Sequence, residues 1–198
     1  VDKIIIVGAA KFSKNLNDYI DSFDRVCRIN TVLPNGKNGK RLDIQFVNWH
    51  TYHKLHKDRD WVAAEKWYVP KSIPTKEYFY EYIRHIEENK FNEVIEHYEI
   101  DKCDVSNRIL EKLNCPYRFD KQPRTGYQAI LYYIEKGYKV SVVGFSLDIE
   151  TNTASYAPNK PLKHSFHGYD NEFKVLKWLY NNNIIGGFEE NNLIMEKS

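Results

Sequence analysis

The chain has 198 residues, a length that suits one domain able to bury roughly 70% of the surface its unfolded form exposes, so no disulfide or metal staple is required. Its 29 basic and 27 acidic residues are interspersed and leave a formal charge of +2, which argues against a polyelectrolyte-binding surface and against nucleic acid as a partner. Cys27, Cys103 and Cys115 are odd in number and lack CxxC or CxH spacing, which excludes a disulfide framework and a zinc-ligand pattern and fits a reducing compartment.

Strand-like sequence begins directly after Val1, with no signal-peptide pattern, and no apolar run approaches the roughly 18 residues of a membrane span. A soluble chain is therefore expected. Lys3 to Val7 is a short apolar run ending in Gly8-Ala9-Ala10, the pattern of a buried parallel strand that turns tightly. Arg25 to Ile29 and Leu42 to Val47 read as the next two strands, separated by a loop carrying Pro34-Asn35-Gly36 and Gly39. They end in Asn30 and Asn48. Residues 50 to 120 are rich in Tyr, Trp, Lys and Glu, with helical periodicity at Tyr78 to Ile83 and Val105 to Leu113, and predict a helical excursion from the sheet. Thr125-Gly126 opens a helix that carries Tyr127, Ile130, Leu131 and Ile134 on one face and stops at Gly137. Val140 to Val143 is another buried strand, ending in Gly144. A polar loop over residues 145 to 166 leads to a last helix from Asn171 to Tyr180.

Strands alternating with helices predict a single doubly wound, mainly parallel sheet covered on both faces, because parallel strands require crossovers. Ligands of such sheets lie beyond the carboxyl ends of the strands. Gly8, Asn30, Asn48 and Gly144 are all expected there.

The GxGxxG spacing of dinucleotide folds is absent, and no acidic residue ends the second strand, so a nicotinamide cofactor is not expected. Asn30 stands at that place instead, where an amide offers a donor and an acceptor to a base edge or a sugar hydroxyl; a strand-end Asn also simply shapes a turn. Thr125-Gly126 offers the N–H groups and dipole of a helix start to a phosphate, or is an ordinary cap. His164-Ser-Phe-His167 enters the last helix, and a histidine is well suited to act as a base near neutral pH. The pair lacks a third metal ligand at usual spacing. Tyr156, after Ser155, can donate a hydrogen bond to a departing phosphate. Asp58-Arg-Asp60 resembles a metal-holding Asp-x-Asp but lies in a charged stretch that reads as a solvated face.

Taken in order, these residues resemble the sialyltransferases, closest in layout to the compact bacterial lipooligosaccharide enzymes and more distantly the animal Golgi family. Ile4 to Gly8 with Phe23-Asp24-x-Val-x-Arg28-x-Asn30 looks like the large sialyl motif, whose donor-binding Asn falls on Asn30. Phe46-Val-Asn48 resembles the next strand, whose terminal Asn contacts the nucleotide or the sugar. Thr125-Gly126, eleven residues before Gly137 and then followed by Val142-Val-Gly144, looks like the small sialyl motif that holds the cytidine nucleotide. Ser155-Tyr156 is similar to the lid segment whose tyrosine bonds the leaving phosphate. His167, nine residues before Leu176 and twelve before Leu179, falls on the catalytic base, and Glu172 fits the animal motif of His and Glu. The family's Gly-Asn-Gly turn is here Gly8-Ala9-Ala10, and the basic residue that the family carries several positions before the small motif has no clean counterpart, Arg124 lying directly before Thr125.

The resemblance implies a Rossmann-like sialyltransferase-type fold and transfer of sialic acid from CMP-sialic acid to a glycan hydroxyl. It implies an inverting displacement with no metal or other cofactor, with His167 as base and Tyr156 on the phosphate. Gly8, Asn30, Asn48, Thr125, Gly126, Gly144 and Ser155 would hold the CMP-sugar. It further implies a cytoplasmic protein, at most peripheral to an inner membrane that carries a glycolipid acceptor. The alternatives are a transferase for another CMP-activated sugar such as Kdo, a metal-dependent transferase using Asp58 and Asp60, and a non-catalytic nucleotide- or carbohydrate-binding module.

Overall fold

The computed structural model describes residues 1–10, 12, 14–30, 32–46, 66–70, 94–98, 103–145 and 168–187. Within these the chain forms one all-parallel sheet with helices on both of its faces. The strands are β1 (Lys3–Val7), β2 (Arg25–Ile29), β3 (Ile44–Phe46), β4 (Lys66–Pro70), β5 (Val94–Tyr98), β6 (Lys139–Val143) and β7 (Ile185–Gly187), and the helices α1 (Asn17–Asp21), α2 (Cys103–Lys112), α3 (Thr125–Glu135) and α4 (Tyr169–Asn181). The spatial order of the strands is β5-β4-β3-β2-β1-β6-β7.

That order reverses direction between β1 and β6. From β1 the chain steps outward through β2 and β3 to β5, then returns through α2 and α3 to β6 on the other side of β1. Right-handed crossovers taken in opposite directions must lie on opposite faces of a sheet. The packing agrees. Leu16 and Ile20 of the α1 segment pack with Ile5, Val7, Val26 and Val143 on one face. Side chains of α2, α3 and α4 pack with Ile4, Ile6, Cys27, Ile29, Ile44, Phe46, Val140, Val142 and Ile185 on the other. Each central strand feeds alternate residues to the two cores, which explains why β1 is apolar at every interior position.

α3 is buried nearly all round, from Thr125 to Leu131, because it lies between the sheet and α2. A helix so placed cannot keep a polar face, and its sequence has almost none. It ends where Gly137 takes a φ of 82°, the left-handed turn anticipated for that glycine.

The middle third departs from the helical excursion that its composition suggests. Besides α2 it supplies β4 and β5, which extend the sheet in register beyond β3. Trp67-Tyr68-Val69 and Val94-Ile95 are aromatic and β-branched, residues that suit a pleated surface. The expected helix at Tyr78 to Ile83 lies outside the described residues. Among the described residues no helix is long and apolar enough to cross a membrane.

Candidate functional site at the carboxyl rim of the sheet

Of the residues singled out in the sequence, Gly8, Asn30, Thr125, Gly126 and Gly144 are described, and all five lie at the carboxyl end of the sheet. Asn48, Ser155, Tyr156 and His167 lie outside the described residues, as do His164, Asp58 and Asp60.

Gly8 and Gly144 follow the last paired residues of β1 and β6, Val7 and Val143, and so stand side by side at the point where strand order reverses. The Gly8 N–H donates to Val143 O at 2.8 Å and the Ala10 N–H to Gly144 O at 3.1 Å, so the pairing continues past both strand ends. The backbones touch. A Cβ on Gly8 would lie 2.2 Å from Gly144 O, and one on Gly144 2.6 Å from Gly8 O. Gly144 also has a φ of 76°. Both glycines are therefore required by the seam between the two strands, independently of any ligand.

Gly126 has a similar reason. The ring of Phe145, immediately after Gly144, covers it, and a Cβ there would lie 2.6 Å from the ring. Phe145 in turn meets Tyr127 edge-on with ring centroids 6.0 Å apart. Thr125 is the first residue inside α3 rather than its cap; Arg124 is the cap residue, with extended backbone and no side-chain capping bond. Among the described residues the N–H groups of Thr125 and Gly126 meet no acceptor. That leaves the helix opening with donors, as helix starts generally are.

Next to those donors stands an acid from another helix. Glu172, in the first turn of α4 and fully buried, accepts from the Arg124 N–H through Oε1 at 2.7 Å and from Arg124 Nε through Oε2 at 2.5 Å. A carboxylate so placed satisfies one N–H of the α3 opening, and the guanidinium balances its charge. The Arg124 guanidinium carbon lies 5.4 Å from the Tyr127 ring centroid and 5.7 Å from that of Phe173. Burial pushes the Tyr127 hydroxyl upward, against the opposing pull of Arg124.

A second contact ties the same two helix starts. Asn171 Nδ2 donates to Asp120 Oδ1 at 3.0 Å and holds that carboxyl below the usual carboxylate range. Gly168, which begins α4, packs so closely on Asp120 that a Cβ would lie 2.2 Å from Oδ1. The chain that follows His167 is thus anchored beside the opening of α3.

Asn30 lies one strand away from Gly8, half-buried, with a φ of 50°. Its N–H donates to Phe46 O at 2.9 Å, and its carbonyl accepts from Gln45 Nε2. Beneath it on β2 is Arg28, fully buried, which donates from Nε to Arg41 O at 2.8 Å and from Nη2 to Asn38 O at 2.9 Å. Burial lowers its guanidinium to about 10, opposed by Asp21 and Asp43. The clamp between Arg124 and Glu172 and the buried pair Arg28 and Gln45 were not apparent as units from the sequence. A charged or amide residue inside a run otherwise made of Val, Cys, Ile and Phe was the available signal.

Among the described residues no three His, Cys, Asp or Glu side chains converge as metal ligands. No known family model matches the chain, and no curated protein is similar to it.

Proposed function

We propose that the chain is a Rossmann-like, sialyltransferase-like glycosyltransferase that moves sialic acid from CMP-sialic acid to a glycan hydroxyl by an inverting, metal-independent displacement. The observation that supports it most is the meeting of two distant segments at one rim: Glu172, five residues after His167, is bonded to Arg124, which immediately precedes Thr125-Gly126. That contact sets the start of α4, which follows His167 in sequence, against the helix start with the candidate phosphate donors, next to the reversal of strand order where ligands of open α/β sheets bind.

In this reading the His167 imidazole accepts the proton of the acceptor hydroxyl as that oxygen bonds to the anomeric carbon. The bond from that carbon to the CMP phosphate oxygen breaks, and CMP leaves with the electron pair. The departing phosphate gains charge late, so a hydrogen bond from Tyr156 and the N–H groups at Thr125 and Gly126 stabilise the transition state more than the bound donor. Asn30 and Asn48 hold the nucleotide and sugar by their amides, and Ser155 adjoins the phosphate. Base catalysis of this kind is worth about 10²–10⁴-fold.

Calorimetry with CMP, UDP, GDP and NAD tests the nucleotide class. CMP is expected to bind selectively; equal or better binding of UDP overturns the reading. His167→Ala should abolish transfer with CMP affinity near normal, whereas retained turnover removes His167 from the role. Exposed Ala9, where the family carries an amide that contacts the donor, favours a second reading with another CMP-activated acid sugar such as Kdo, which a donor panel separates.

A further inference from the structure

Gln45 occupies the centre of β3, fully buried, between Ile44 and Phe46. Its register partner on β2 is Arg28, so two polar side chains stand next to each other on the face where β1 presents Ile5 and Val7. Arg28 is used by the loop before β3, through the carbonyls of Asn38 and Arg41. Gln45 serves something else. Its Nε2 donates to the carbonyl of Asn30, while its Oε1 is buried with no partner.

A buried amide with one unmet acceptor is a net burden on folding, and an apolar residue of the same length would avoid it. The group that Gln45 reaches explains why the burden is kept. Asn30 is in the left-handed region, which asparagine enters at less cost than other non-glycine residues but still at some cost, so partners that fix it there narrow its freedom. β3 holds it at both polar backbone groups, by Phe46 O on the N–H and by Gln45 Nε2 on the carbonyl. Fixing both fixes the direction in which the Asn30 side chain leaves the backbone, and that side chain stands at the rim, one strand from the Gly8 seam. A recognition amide gains most from a buried partner that removes its freedom in advance.

We infer that Gln45 is a positioning residue. It locks Asn30 in the left-handed conformation, so that the Asn30 amide is set before a nucleotide base edge or ribose hydroxyl arrives. The ligand side of this inference rests on the nucleotide reading above, and the positioning of Asn30 by Gln45 does not.

The experiment therefore has two arms, each with Gln45→Met and, as a second shape should that variant not fold, Gln45→Leu. In the arm without ligand, amide hydrogen exchange at Asn30 should accelerate about tenfold relative to the rest of β2, with the thermal midpoint unchanged or raised. In the arm with CMP, the Kd should rise about tenfold for Gln45→Met and for Asn30→Ala, and the double variant should lose no more than Asn30→Ala alone. Unchanged exchange at Asn30 overturns the inference, and so do losses that add in the double variant. Accelerated exchange in a chain that binds no CMP sustains the positioning of Asn30 and overturns the nucleotide reading instead.

Discussion

The two faces of the sheet solve the same problem differently. Over the face covered by α2, α3 and α4, the core is continuous from Ile185 at one side to Ile44 and Phe46 toward the other, and it is made almost wholly of apolar and aromatic side chains. On the α1 face, apolar packing covers β1, Val26 and Val143, and then gives way over β2 and β3 to Arg28 and Gln45. The cause is the connection. Residues 32–43 link β2 to β3 without a helix, so their backbone polar groups have no helical partners.

Side chains supply them. Asn17 donates to Gly36 O and accepts from the Gly39 N–H, Asn38 donates to Leu33 O and accepts from the Asn35 N–H, and Asp21 accepts from the N–H groups of Lys40 and Arg41. Arg41 also caps the end of α1 through the carbonyls of Asp21 and Phe23, where a cation is favoured. A crossover without a helix is stable here because asparagine, aspartate and arginine replace its missing ladder. Those same residues leave Arg28 and Gln45 buried beneath the crossover.

The seam that both faces share is the place to break this arrangement first. Gly8→Ala drives a Cβ into backbone at 2.2 Å, where no side chain can yield, and should cost at least about 3 kcal/mol in urea unfolding. Gly36, also at positive φ but with nothing within 4 Å of an added Cβ, serves as the control and should lose only about 1 kcal/mol on the same change. A next comparison weighs one face against the other. Leu110→Ala, in the fully buried core of the helical face, should cost about 3 kcal/mol. Arg28→Met should cost about 1 kcal/mol, because relief from burying a charge offsets much of the loss of two bonds to carbonyls. Equal losses at the two positions would erase the distinction.

The smallest effect is read from pH. Burial raises the thiol of Cys27, on the helical face, well above its ordinary value near 9.0. The unfolded chain then releases that proton as pH rises past 9.0 while the folded chain keeps it, so stability must fall with pH in this range. One group so placed removes about 1.4 kcal/mol between about pH 8 and pH 10. Tyr127 and Tyr19, whose hydroxyls burial also raises, extend the decline above their ordinary value of 10.0. Cys27→Ala should flatten the first part of the slope in urea titrations across this range, and an unchanged slope would show that the thiol is not the source.

What could be read from the residues alone follows from how local each signal is. β1, β2, β6, α3 and α4 coincide closely with their apolar runs and with the stop at Gly137, because those patterns are set within a few residues. β7 is only three residues, and α1 is one turn beginning with Asn17 and Asp18; neither is long enough to show a period. β4 and β5 were hidden in a segment whose Tyr, Trp and Lys content suits helix and strand alike. At the rim, the strand-end positions of Gly8, Asn30 and Gly144 were legible. That Gly8 needs its bare Cα for a residue 136 positions later was not, since only the register of β1 on β6 brings them together. The same holds for Glu172 on Arg124 and for Gln45 on Asn30, where the partners meet through tertiary packing.

The abutting glycines also limit how the rim can change. With main chain against main chain at the centre of the rim, a side chain added at either glycine would dislodge a strand. If the rim holds a ligand as proposed, variation in what it takes must arise away from this seam, at Asn30 for one. A selection for altered ligand preference should leave Gly8 and Gly144 untouched.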